Sequence, residues 1–297
     1  MAFKLGLALG GGGGRGLTHI GILEGLEKAG IKIDIIAGTS IGCVIGGLYA
    51  LTLSAAEVKE RVERFIESEE FEKVELAFLK KPGKLPEKRS LSIANVIRRG
   101  IFFSLTATTK GFMPEEEYLK IFDSLIGDVL IENTKIPFSC VATDLDTGKE
   151  IVMNSGSLKM AANASAAIPG VYPPVLMDGY NLVDGSWVNI VPVRAAFDAG
   201  ATMVIAVDVA REKKETPQFK TGLEVFIRAN EITREKLKQL QLKEAQIVIA
   251  PDVDDVHWAD FSQMKLCIER GNTAVENCSA ELKKKILLAK TKQFFLM

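Results

Sequence analysis

Apolar positions along this chain fall into two rhythms. Compact runs in which most residues are apolar, or in which apolar and polar residues alternate, occur at 3–9, 33–38, Phe138–Thr143, Glu150–Met153, Asn181–Val183, Met203–Val207 and Ile247–Ala250. Runs of that length, bounded by glycine or polar residues, predict strands buried in a sheet. Between them the apolar positions take a helical period at 16–29, closed by Gly30, at 41–53, and near 115–126, 157–167, 193–199, 222–243 and 265–290. Ser54-x-x-Glu57 reads as a capping box opening a further helix, whose Glu57, Glu60, Glu63 and Glu67 form a solvated face. Strands alternating with helices predict an α/β fold, a mostly parallel sheet covered by helices on both faces. No low-complexity linker or internal repeat divides the chain, so a single domain over residues 1–297 is expected.

Ile35 to Ala56 carries no charge, and hydropathy alone would mark it as membrane-spanning. Gly38, Thr39, Ser40 and Gly42 break it into strand, turn and buried helix, so the spanning reading is rejected. A net charge of −1 over 297 residues describes a globular protein with a large core and no general bias toward polyanions. Nucleic acid is therefore not an expected partner. The local exception is 80–113, where Lys80, Lys81, Lys84, Lys88, Arg89, Arg98, Arg99 and Lys110 flank the apolar Ile101–Leu105. That combination suits peripheral contact with an anionic lipid surface; the competing expectation is a helical hairpin packed on the core. Cys43 and Cys140 lie in apolar segments and read as buried thiols of a reducing compartment. With no secretory leader evident before the glycine run, cytoplasmic residence is the expectation. The four cysteines lack metal-ligand spacing and histidines number two, so a zinc site is not expected.

The chemistry concentrates in two glycine-rich turns. Gly38-Thr39-Ser40-Ile41-Gly42 stands where a strand gives way to a helix, the setting of a nucleophile elbow. The second strand thus ends on a serine exposed at a helix N-terminus, where the dipole favours developing negative charge. Upstream, Gly10 to Gly14 with Arg15 and Gly16 follows the first strand. Gly11-x-Gly13-x-x-Gly16, with Asp34 beyond, matches a dinucleotide fingerprint; the same loop could instead supply an oxyanion hole. Adjacent parallel strands place both turns at one edge of the sheet, which favours the oxyanion reading. Arg15 is expected to fix this loop by hydrogen bonds. Three residues compete as the base. His19 sits one turn from the glycines and reads as a packing residue. His257 completes the order Ser40, Asp184, His257 of a triad. Asp184, in Leu182-Val183-Asp184-Gly185-Ser186, follows an apolar strand beside the proline-stiffened Ala164–Pro174; Asp178-Gly179 reads as an ordinary hairpin turn.

Taken in order, the loop Gly11, Gly12, Gly13, Gly14, Arg15 and Gly16, the elbow Gly38–Gly42, Thr143–Gly148, Ala164–Pro174 and Asp184-Gly185 resemble the patatin-like phospholipase family over about 3–210, with 211–297 completing the domain. The resemblance implies a patatin-like fold and a Ser–Asp dyad, Ser40 as nucleophile and Asp184 as general base, acting on lipid or other acyl esters without a cofactor. Two positions depart from its pattern: Gly10, where plant members carry aspartate, and Ser186, where glycine or alanine is commoner. A non-catalytic lipid-binding protein on the same fold and a dinucleotide oxidoreductase are the competing classes; oligomeric state is left open.

Overall fold

The computed structural model describes residues 2–72, 108–111, 113–210, 219 and 221–295. Most of the basic segment at 80–113 therefore lies outside the described residues. In chain order the elements are β1 (Leu5–Leu9), α1 (Thr18–Lys28), β2 (Ile35–Thr39), α2 (Ile41–Thr52), α3 (Ala55–Ile66), the short α4 (Glu115–Tyr118), β3 (Phe138–Asp144) and β4 (Glu150–Met153). There follow α5 (Leu158–Ala166), β5 (Val175–Met177), β6 (Tyr180–Asp184), α6 (Val193–Asp198), β7 (Met203–Val207), α7 (Gly222–Leu242), β8 (Ile247–Ile249) and α8 (Met264–Phe295).

The strands form one sheet in the order β5-β6-β3-β2-β1-β7-β8, with β4 also on β3. β3, β2, β1, β7 and β8 run parallel, while β4, β5 and β6 are antiparallel additions at one end. The expected α/β sheet is thus present. Alternation along each strand divides its residues between two cores. Leu5, Leu7, Leu9, Ile36, Ile205 and Val207 enter the larger core with α1, α2, α3 and α8. Ala8, Ala37 and Ala206 face the smaller core with α6. Gly6 lets that layer come close, since a Cβ there would stand 2.7 Å from the Ala201 methyl. On the opposite layer α8 lies directly on α1, where a Cβ at Gly25 would stand 2.8 Å from Val275 Cβ. Among the described residues no helix is long and apolar enough to cross a membrane.

Three elements differ from the pattern-based expectation. The helix expected near 115–126 stops at Tyr118, and Lys120, Ile121 and Asp123 bond three residues back instead of four. Asn163 causes this from outside: its Nδ2 donates to Leu119 O (3.0 Å), and the Tyr118 hydroxyl donates to Asn163 O. β5 is a three-residue edge strand behind Pro173-Pro174, too short for a periodic signal. It pairs with β6 through Asp178-Gly179, whose φ values of 51° and 82° make the two-residue turn expected of that dipeptide. The capping box expected at Ser54 is only half formed: its side chain accepts the Glu57 amide (3.2 Å), but the Glu57 carboxylate accepts from Arg61 (2.6 Å) instead, and the reciprocal box appears at Thr221 and Glu224.

The cysteines require a correction. Cys43 and Cys140 are joined as a disulfide, with Cα atoms 5.4 Å apart, rather than standing as two thiols. Parallel pairing sets Cys140 opposite Gly38, and the turn into α2 folds Cys43 over Gly38. A separation of 97 residues carries no trace of that proximity. The reducing-compartment argument loses its footing with it.

Candidate active site

A strand has two edges, yet β3 has three partners. β4 covers Cys140–Thr143, overlapping both β2, which pairs Phe138–Val141, and β6, which pairs Ala142–Asp144. β2 and β6 must therefore share the other edge, end to end. β2 stops at Thr39 opposite Val141, and the antiparallel β6 stops at Asp184 opposite Ala142. Their ends meet head-on, which brings Ser40 and Asp184 together across 144 residues of sequence.

At this seam Ser40 Oγ donates to Asp184 Oδ2 at 2.6 Å. Both side chains are buried. Ser40 has φ 55°, a left-handed conformation costly for a residue with a Cβ and characteristic of a nucleophile elbow. Gly42 is required by space, because a Cβ there would collide with the Leu9 carbonyl; Gly38 likewise lies against the Cys43 backbone. The elbow is tied down by a residue the sequence reading did not single out. Ser165 Oγ accepts the Ser40 amide (2.8 Å) and donates to Val141 O (2.6 Å), filling the gap in the ladder between β2 and β6. Its only sequence signal is its place in the small-residue stretch Ala164–Ala167.

Asp184 is held as firmly. Its Oδ1 accepts the Ser186 amide (2.7 Å), its amide donates to Ala167 O (2.9 Å), and its carbonyl accepts Thr143 Oγ1 (2.9 Å). Gly185 lies so close to the Val141 carbonyl that no Cβ fits. Burial pushes the Asp184 carboxyl above its ordinary value, opposed by the Ser40 hydroxyl, the Ser186 amide and hydroxyl, and the charge of Arg234. With Asp184 in the role of base expected from the sequence, it must be ionised to act, so activity is expected to be lost as pH falls through this raised value. The acid limb of kcat/KM is expected above the ordinary aspartate range, that is above about 4. A buried acid with a raised pKa adds stability as it takes up its proton, so this group does not unfold the protein across the same window. An acid limb at or below the ordinary range in a kcat/KM profile would remove Asp184 as the titrating base.

The glycine loop divides into anchored and open amides. Gly10 N donates to Val207 O (3.1 Å), Gly11 N to Ile190 O (3.0 Å) and Gly14 N to Trp258 O (2.6 Å). The amides of Gly12 and Gly13 have no hydrogen-bond partner among the described residues. Gly11 packs against Ser186 and Ser40, and Gly16 against Ile41, so the loop rests on the elbow itself. Gly13 has φ +59° and lies against the Trp258 carbonyl.

The surrounding residues hold this loop. His19 is fully buried, with Nε2 2.7 Å from Gly10 O; burial lowers its pKa to about 4, which keeps it neutral. Neutral Nε2–H donates to that carbonyl, a loop-supporting role in line with the packing reading. Arg15 Nε donates to Val256 O (2.7 Å) and ties the loop to the segment after β8. Asp208 and Lys238 form a buried ion pair at 3.1 Å, and Lys238 also bonds Ala210 O (2.9 Å). They fix the 208–210 turn, whose Val209 abuts Gly12.

The competing assignments find different surroundings. His257 is exposed and its Nδ1 accepts the Ala259 amide (3.2 Å), while the Ser40 hydroxyl is already directed at Asp184. Asp34 accepts the Leu5 amide at the opposite end of β1 from the glycine loop, away from where a ribose would sit. Beside Ser40 and Gly13 opens a cavity of about 740 Å³, its open mouth included, walled by Val44, Ile45, Val62, Phe65 and Leu125. Among the described residues its walls carry no charged side chain.

A family model described as patatin-like phospholipase matches residues 7–197. Lysophospholipase NTE1 of Kluyveromyces lactis is 34% identical over 214 residues, which are 72% of this chain and 13% of that protein. Patatin-like phospholipase domain-containing protein 6 of Mus musculus is 32% identical over 208 residues, 69% of this chain and 13% of its own. The chain thus spans about an eighth of the length of these relatives. The solved structure of VipD from Legionella pneumophila covers 94% of this chain, and this chain 67% of that one, with a TM-score of 0.52 at 13% identity, a likeness of fold.

Proposed function

This chain belongs to the patatin-like phospholipase family, and from that premise we propose that it is a serine acyl hydrolase of lipid esters working through the Ser40–Asp184 dyad. The observation that carries the reading is the 2.6 Å contact between Ser40 Oγ and Asp184 Oδ2 at the edge of an apolar cavity. Asp184 takes the Ser40 proton as Oγ bonds to the ester carbonyl carbon. The carbonyl oxygen becomes an oxyanion that accepts from the open amides of Gly12 and Gly13. Collapse breaks the bond to the alcohol oxygen, which leaves with the proton held by Asp184. A water molecule then loses its proton to Asp184 and attacks the acyl–Ser40 ester, releasing the fatty acid and restoring the serine. No cofactor enters any step.

The cavity suits the acyl chain. Each methylene buried there stabilises the complex by about 0.8 kcal/mol. A fluorophosphonate bearing a long alkyl chain is expected to label Ser40 stoichiometrically, and faster than its ethyl counterpart, as read by peptide mass. A folded protein that takes no label would be a non-catalytic member of the fold.

A further inference from the structure

We propose that Arg234, laid over the Trp187 ring, forms a subsite for a phosphate group on the leaving-group side of Ser40. The inference rests on the reading of Ser40 as the nucleophile and adds to it the residue that selects a phosphate-bearing leaving group over an uncharged one.

The guanidinium carbon of Arg234 lies 5.2 Å from the Trp187 ring centroid. Stacking of this kind fixes the plane of the guanidinium fork in advance. Its Nε is buried and has no hydrogen-bond partner among the described residues, and a buried orphan donor calls for an explanation. Two other cations of α7 are already paired: Arg228 with Glu231 at 3.0 Å, and Lys238 with Glu235 at 2.9 Å and with Asp208. Arg234 has no carboxylate partner among the described residues.

Placement decides what this cation can meet. Trp187 is three residues past Asp184 and 42% exposed. Lys238, one helical turn after Arg234, bonds the 208–210 turn that abuts Gly12. Arg234 therefore stands about 6 Å further along α7, by helical rise, and its field is felt at the Asp184 carboxyl. α6 and α7 pack on one face of the sheet; the cavity walls come from α2 and α3 on the other. An ester whose carbonyl sits at Ser40 with its acyl chain in the cavity extends its alcohol side toward Trp187 and Arg234. Phosphate oxygens are among the groups a forked guanidinium recognises bidentately. α7 lies beyond residues 7–197, so nothing in the shared family pattern prescribes this residue.

Phosphate oxygens can come from a lipid headgroup or from free phosphate. The test compares octanoyl lysophosphatidylcholine, below its micelle concentration, with mono-octanoylglycerol on the full chain and on Arg234→Gln and Arg234→Lys. In Arg234→Gln the ratio of kcat/KM for the phosphate ester to that for the glyceride is expected to fall about 10- to 100-fold, the range of charge-assisted hydrogen bonds. The loss should lie mainly in KM, with partial recovery in Arg234→Lys. Glycerophosphocholine and inorganic phosphate, at matched ionic strength, are then tried as competitors of glyceride hydrolysis. Inhibition by the former alone assigns a headgroup site; equal inhibition by both assigns a free-phosphate site. An unchanged substrate ratio in folded Arg234→Gln, or competition that survives the substitution, overturns the proposal. Calorimetric titration of the octanoyl lysolipid into Ser40→Ala keeps the subsite separate from the chemistry. Arg234-dependent binding there, with no hydrolysis by the unaltered chain, would uphold the subsite and sink the hydrolase reading alone.

Discussion

Ser40→Ala and Asp184→Asn should each lower ester turnover by about 10⁴-fold or more, and the double variant should lose little beyond either. The two groups act as one unit: a hydroxyl without a base is a poor nucleophile, and a base without the hydroxyl has nothing to activate. Neither change disturbs the frame that holds the pair. In Asp184→Asn the new side chain keeps an oxygen for the Ser186 amide, and the backbone bonds to Ala167 and Thr143 remain, while Ser40→Ala leaves the amide contact to Ser165 in place. Thermal midpoints near that of the unaltered chain, together with steady-state rates on a soluble ester, check the prediction. Should Asp184→Asn keep its activity while His257→Ala abolishes it, the histidine would replace Asp184 as the base.

Gly12→Val is expected to slow acyl transfer by roughly 10²- to 10³-fold, about 3–4 kcal/mol in the barrier, with most of the loss in kcat. A Cβ at Gly12 would stand 2.7 Å from Val209 Cγ2. The turn behind Val209 is held by the Asp208–Lys238 ion pair and cannot easily yield. The loop must move instead, carrying the Gly12 and Gly13 amides off the carbonyl oxygen. The fold should persist, since the neighbouring amides of Gly10, Gly11 and Gly14 keep their partners. A folded Gly12→Val protein with full kcat would place the oxyanion donors elsewhere.

What could be read from sequence follows from the range of the forces involved. Apolar runs, the Asp178-Gly179 turn and the placement of the elbow are set by neighbours within a few residues, and the structure has them where the pattern puts them. The two glycine turns could be brought together because parallel βαβ connectivity fixes which ends of the strands coincide. Long-range pairings left no such trace. The Cys43–Cys140 bond, Ser165 under the elbow and Asn163 halting α4 each join segments distant in sequence through geometry that no local rhythm encodes. Arg234 was equally hidden, for on α7 it reads as one more charged surface position until Trp187 is seen beneath it.

The head-on meeting of β2 and β6 on a shared edge of β3 makes activity a measure of long-range order. Among the parallel pairings, β1–β2 and β7–β8 close modest loops, whereas β2–β3 and β1–β7 already join distant segments, Ile36 with Phe138 and Leu5 with Met203. The dyad exists only once the β5–β6 hairpin has docked in the remaining length of that edge, closing a loop from Ser40 to Asp184. Contacts so far apart in sequence carry a large loop-closure entropy and form late. On the proposed mechanism no contiguous fragment shorter than that span holds both groups, and a chain ending before Tyr180 carries Ser40 without Asp184.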